Sequence, residues 1–291
     1  MTFRLVQELA ARGVRVAAAC RVLRISTSGY YEWRERAPSA RAMADGALST
    51  QIAAIHTASR GTYGVPRVHA ELRLGCGVRC SRKRVARLMR ASGFQGIYRR
   101  RGRRRCAAPP VHDDLVRRRF VADRPDRLWL TDITEHPTRE GKVYLAAVLD
   151  VYGRRVVGWS IADHLRAELV VDALEMARWR RRPQPGETVL HSDRGAQYTS
   201  WAFGHRLRSA GLLGSMGRVG SAYDNAMMES FFSTLQRELL DRRAWATRGE
   251  LASAIFEWIE AWYNPRRRHS QIGYRTPIEH ERLYTAGAHA A

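Results

Sequence analysis

RLWLTDITEHPTREGKVYLAAVLDVYGRRVVGWSIA, residues 127–162, carries the strongest strand pattern in the chain. Its three apolar runs, RLWLTDIT, KVYLAAVLDVY and RRVVGWSIA, are joined by REG and YGR turns, which predicts an antiparallel three-strand meander. Working outward, residues 166–181 place Leu169, Val170, Ala173, Leu174 and Ala177 on one helical face. TVLHSD (188–193) reads as a fourth strand, 199–210 as a helix, and LLGSM (212–216) as a fifth strand. In YDNAMMESFFSTLQREL (223–239), Met228, Phe231, Phe232, Leu235 and Leu239 recur with helical spacing. The order βββαβαβα predicts an α/β domain over 124–240, a mixed five-stranded sheet with flanking helices.

Three acids fall at telling places in that pattern. Asp132 sits among apolar residues of the first strand, Asp193 ends the fourth, and Glu229 follows with 35 residues between. Glu229 shares with Ser233 and Gln236 the stripe beside the apolar face, where the helix meets the sheet. Phosphodiester chemistry needs an activated oxygen nucleophile and a stabilised leaving alkoxide. Two Mg²⁺ ions about 3.5–4 Å apart, or Mn²⁺ in their place, serve both needs through hard oxygen ligands. The expectation is that Asp132 bridges both ions, Asp193 completes one and Glu229 the other, with His191 and Gln197 orienting water or phosphate. Asp150, in LDVYGR, reads as a turn residue, and Asp224-Asn225 caps the Glu229 helix, which makes Asn225 a supporting residue.

The composition says what this chemistry acts on. The 291 residues carry a net charge of +22, and 45% are hydrophobic, as in a globular protein rather than a disordered one. Residues 1–120 hold 26 Lys+Arg against 7 Asp+Glu, whereas 121–291 hold 24 against 21. An Arg-rich genome would raise both halves, so the asymmetry points to a polyanion-binding region joined to a near-neutral one. No apolar run approaches the ~20 residues of a membrane span. The start, MTFRLVQELAARGVRVAAAC, lacks a signal peptide's apolar block, so a cytoplasmic, nucleoid-associated chain with no membrane partner is expected. Four cysteines make no disulfide framework, and His56, His69, Cys76 and Cys80 fit no common zinc spacing.

Residues 1–40 read as a helix-turn-helix, with Val16, Ala19 and Leu23 on one face and Ser26 or Ser28 capping the helix that carries Tyr30, Tyr31 and Trp33. A second, stronger one falls within 45–97: a helix from near Pro66 carrying Val68, Leu72 and Leu74 stops at Gly75, and Ser81 then caps RKRVARLMRASG. There Val85, Leu88 and Met89 point inward, leaving Arg82, Lys83, Arg84, Arg87 and Arg90 outside, with Arg67 on the preceding helix, to meet DNA phosphates. Residues 98–123 form a basic linker whose arginine cluster, including Arg103, Arg104 and Arg105, suits a DNA backbone. The last segment, 241–291, has a helix, LASAIFEWIEAWYN, ended by Asn264-Pro265. In the basic tail beyond it, Arg267 and His269 are candidates to touch DNA or the core's own carboxylates.

At these residues the chain resembles the OrfB-type transposases of the two-frame bacterial insertion sequences, the IS-three family, over nearly its whole length. GTYGVPRVHAEL with SRKRVARLM looks like their second helix-turn-helix. WLTDIT, HSDRGAQY and DNAMMESFFSTL look like their three acidic motifs, and YNPRRRHSQIGYRTPIE like their C-terminal signature. The resemblance implies an RNase H-like core shared with retroviral integrases. It also implies a Mg²⁺-dependent DNA strand-transfer enzyme that cuts at terminal inverted repeats and joins the exposed 3′-OH to new DNA. Double-stranded DNA, other copies of the chain, and an upstream-frame helix-turn-helix and leucine-zipper partner or fusion would be its partners. This sequence departs from the family at Gln236, where a basic residue commonly follows the catalytic Glu by seven positions, and at Val219, where one is frequent before Asp-Asn. Two other readings share these modules: an inert DNA-binding regulator, and a plain RNase H-like nuclease. Joined strands, nicks alone, or neither would separate the three.

Overall fold

The computed structural model describes residues 2–97, 120–193, 195–216 and 226–290. The backbone gathers into two compact units, Met1–Ala54 and Ile55–Ala291. In the first, α1 (Thr2–Ala11), α2 (Val16–Val22) and α3 (Thr27–Glu35) bury Val6, Ala19, Cys20 and Tyr30 together. The Ser26 hydroxyl accepts from the Gly29 amide at 3.3 Å, so α3 starts at its expected cap. The long α4 (Ala40–Ala58) runs from this unit into the next.

The second unit opens with α5 (Val65–Leu74) and α6 (Arg82–Ala91), the expected pair, with Ser81 accepting from the Arg84 amide at 3.2 Å. Val68 and Leu72 are buried, whereas Leu74 is exposed. It lies two residues, about 200°, round the helix from Leu72.

The sheet follows: β1 (Leu128–Thr138), β2 (Gly141–Asp150) and β3 (Val156–Ala162), then α7 (Ala167–Arg181), β4 (Val189–Ser192), α8 (Trp201–Ser209) and β5 (Leu213–Met216). Strand order is β3-β2-β1-β4-β5, the meander antiparallel and β1-β4-β5 parallel. This is the expected mixed five-stranded sheet of an RNase H-like core. One face, through Trp129, Val148 and Val157, packs with Leu169, Ala173 and Ala177 of α7 and Phe203 of α8. Gly158 sets that approach: a Cβ there would meet the Ala173 carbonyl oxygen at 2.2 Å. Asp150 is a turn residue as read, accepting from the Tyr152 and Gly153 amides, yet it is fully buried.

On the C-terminal side α9 (Ala226–Glu238) buries Met228, Phe231 and Leu235. α10 (Arg248–Glu257) runs into a π turn, Trp258–Tyr263, then α11 (Asn264–Arg266) and, further on, α12 (Pro277–Ala290). The helix expected to stop at Asn264-Pro265 therefore continues a turn longer. The wider π turn resets the hydrogen-bond ladder, and proline is tolerated in the first turn of α11. Asn264 is buried, its side chain bonding both the amide and the carbonyl of Val156 at 2.9 Å. It thus pins this segment to β3. Among the described residues no helix is long and apolar enough to cross a membrane.

Candidate active site

The parallel pairing of β1 and β4 brings two of the acids together. It runs from Leu128↔Val189 to Leu130↔His191, and two residues further along each strand stand Asp132 and Asp193. Here β1 leaves its parallel neighbour but continues beside β2, with Asp132 opposite Ala147. A crevice at the carboxyl ends of parallel strands, where the connections diverge, is the usual place for a ligand. Such a cleft exists, about 170 Å³, and Asp132, Asp193, Thr134, Gln197 and Tyr198 line it.

Local bonds hold each acid. Asp132 Oδ1 accepts from the Ile133 amide at 2.8 Å, and Asp193 Oδ1 from the Gly195 amide at 2.9 Å. A Cβ at Gly195 would stand 3.1 Å from both Asp193 Oδ1 and Gln197 Oε1, so the glycine keeps this oxygen-lined cradle open. Gln197 donates its amide nitrogen to the Leu165 carbonyl at 3.1 Å, leaving the amide oxygen as its cleft-side group. An acceptor of that kind suits a water better than a phosphate oxygen.

Glu229 lies in the first turn of α9, exposed, on a helix packed beside β1. It does not line the Asp132–Asp193 cleft, yet its charge reaches Asp132. Burial pushes the Asp132 carboxyl up to about 6; the Ile133 amide opposes this, and the negative charges of Asp193 and Glu229 add to it. Among the described residues none of the three acids is ion-paired, and no three His, Cys, Asp or Glu side chains close round one point. The arrangement is a gathering of hard oxygen donors whose mutual repulsion a cation would relieve, which fits a divalent ion.

Two expected site residues stand elsewhere or outside view. His191 is 1% exposed, its Nδ1 3.0 Å from Ser215 Oγ and its ring edge-on to Phe120. It is buried inside the sheet, paired with Ser215 of β5, two residues short of Asp193 and away from the residues that line the cleft. Asn225, like Val219 and Asp224, lies outside the described residues. Gln236 donates to Asp241 at 2.5 Å, and Arg237 donates to the Ser233 carbonyl at 2.7 Å.

The basic candidates divide. Arg82, Lys83, Arg87 and Arg90 of α6 are exposed and Arg84 is half-buried, whereas Arg103, Arg104 and Arg105 lie outside the described residues. Arg267 and His269, expected on a DNA-facing tail, are instead buried at 4% and 8% exposure. Arg267 makes a bidentate pair with Glu238, at 2.8 and 2.9 Å. Of the two partners open to it, the core's carboxylate wins, since a buried guanidinium needs a fixed counter-charge. Arg67 also turns inward, its Nε donating to the Arg268 carbonyl at 3.1 Å.

The reading of the sequence missed Tyr198. It is buried, its hydroxyl 3.3 Å from Thr131 Oγ1, and it forms part of the wall behind Asp132 and Asp193. Its place beside Gln197 in HSDRGAQY was the available signal.

Family models described as "Integrase core domain" match residues 122–222 and 211–277, and one described as "HTH-like domain" matches 44–102. The chain is 39% identical over 282 residues to the transposase for insertion sequence element IS629 of Shigella sonnei, covering 93% of each. It is 38% identical to the IS904 transposase of Lactococcus lactis, over 85% of this chain and 98% of that one. To transposase InsF of IS3A from Escherichia coli it is 37% identical, over 91% and 93%.

Proposed function

The chain belongs to the OrfB-type transposases of the IS-three family of insertion sequences, and from that premise we propose that Asp132, Asp193 and Glu229 are its catalytic acids for DNA strand cleavage and strand transfer. The observation that carries the reading is Asp132, raised by burial and by its two acidic neighbours at the end of β1.

The three carboxylates would hold two Mg²⁺ ions, with Mn²⁺ an acceptable substitute. When bound, such ions activate the attacking oxygen and stabilise the leaving one. The chain's own contribution is placement. Two rigid strands present Asp132 and Asp193, α9 presents Glu229, and Gln197 Oε1 accepts a hydrogen bond from the water aligned with the phosphorus. In the first step water's oxygen bonds to phosphorus, the P–O3′ bond breaks, and the departing oxygen takes a proton to become a free 3′-OH. In the second step that 3′-OH displaces another strand's 3′ oxygen, forming one phosphodiester for each one broken. The exposed cations of α6 hold double-stranded DNA, element ends and target alike, and several copies of the chain act together on it.

Incubation with DNA carrying inverted repeats, with Mg²⁺ and with EDTA, tests this through its products. Wild type should give metal-dependent nicked and joined strands, and Glu229→Gln should bind the same DNA while yielding neither. Cleavage by Glu229→Gln at the wild-type rate would sink the assignment; nicks without joining would favour a plain nuclease.

A further inference from the structure

Glu229 occupies one side of α9, and the next residue round the helix, Ser230, opens onto a different cavity. This space, about 160 Å³, is lined by Arg67, Arg154, Arg267, His269, Ser230 and Gln271. It is smaller than the ~300–1,000 Å³ of a drug-sized ligand site, yet roughly five times the ~30 Å³ a water occupies in the liquid.

Its charge is unbalanced. Arg67 and Arg267 share one carboxylate, Glu238, at 3.9 and 2.8 Å. Arg154, half-buried, has no hydrogen-bonded or ion-paired partner among the described residues. Its backbone sits at φ 56°, a left-handed conformation that favours glycine or asparagine, in the turn between β2 and β3. From that turn Arg154 lines the cavity together with two other guanidiniums. His269 adds no charge of its own: burial, then Arg267, Arg67 and Arg154, hold its pKa well below the ordinary value. Cations sheltered from water without counter-charge are costly unless an anion joins them. The guanidinium fork matches phosphate oxygens two at a time. The Ser230 hydroxyl and Gln271 amide are further donors on the same wall.

We infer that this cavity is a phosphate site, and that it takes one backbone phosphate of DNA on the side of α9 next to Glu229. The phosphate assignment stands on the cavity itself, and its assignment to DNA rests on the function proposed above.

The full chain is melted in inorganic phosphate against chloride at equal ionic strength. Wild type should gain a saturable rise in Tm that Arg154→Gln loses and Arg154→Lys keeps in part. Arg154→Asn, which suits the left-handed backbone, should lose it as well and guards against misfolding as the cause. Equal protection of wild type and Arg154→Gln, or none in wild type, would overturn the site. In the second arm, duplex binding is followed against salt. The slope of log K on log salt should shrink by about 1 in Arg154→Gln. An unchanged slope with phosphate protection lost would mean a free-phosphate site and overturn the DNA assignment. Neither arm requires cleavage. If the protein fails to cut or join DNA, the proposed chemistry fails while the phosphate melt still decides the site. If the melt fails while Glu229→Gln behaves as expected, only this site is lost.

Discussion

Asp132 shows how one side chain is shaped by its neighbours. Its pKa is raised to about 6, burial leading. A rise of that size corresponds to about 3 kcal/mol at full burial, and solvent at this half-buried carboxyl reduces it to about 1–2 kcal/mol. Because the folded pKa is raised, the protonated form is the comfortable one. Stability is full below the ordinary value of 3.8 and is lost as pH rises through about 6. Asp132→Asn should therefore stabilise the metal-free protein at pH 8, where the carboxylate is charged, and do little at pH 4. Melts in EDTA at the two pH values check this; equal shifts at both would mean that charge is not the cause. The places of Asp132 on β1, Asp193 just past β4 and Glu229 on α9 were legible in the sequence because each stood in a distinctive frame of strand or helix. The burial of His191 was not, since it comes from β5 pairing alongside β4 with Ser215 opposite, a contact between segments distant in the chain.

At the scale of elements, α9 and the segment after α11 are locked together. Arg267 pairs with Glu238, Arg268 bonds Glu71 at 2.5 Å and Glu279 at 2.8 Å, and the Arg268 amide donates to the Tyr63 hydroxyl at 2.8 Å. The same arginines thus tie α5, of the helix-turn-helix, to α9, α11 and α12. From the sequence RRRH could meet DNA or the core's own carboxylates, because local sequence shows charge but not burial. Breaking the pair should strand a buried charge. Arg267→Ala is expected to cost about 3–5 kcal/mol, while Arg267→Met with Glu238→Gln should recover much of it. Urea unfolding of the single and double variants decides; additive losses would show that the two side chains act separately.

Over the whole molecule, charge is divided unevenly between regions. Residues 1–120 carry 26 Lys+Arg against 7 Asp+Glu, and α6 displays its share on the surface, while Asp132 and Asp193 stand where the sheet's parallel strands end. Replacing the exposed Arg82, Lys83 and Arg90 by alanine should lower the salt slope of duplex binding by about 2–3 and weaken all sequences alike. A slope equal to wild type would remove α6 from the interface. Hydrophobic period, caps and turn residues are local properties, so the order of elements and the sheet's strands could be read from the residues alone. Only the tertiary structure decided that Arg267 and His269 lie inside, that Tyr198 backs the cleft, and that Arg154 meets Arg67 and Arg267 in one cavity. Those outcomes depend on which distant segments pack together, and partners so far apart in the chain leave no periodic trace in it.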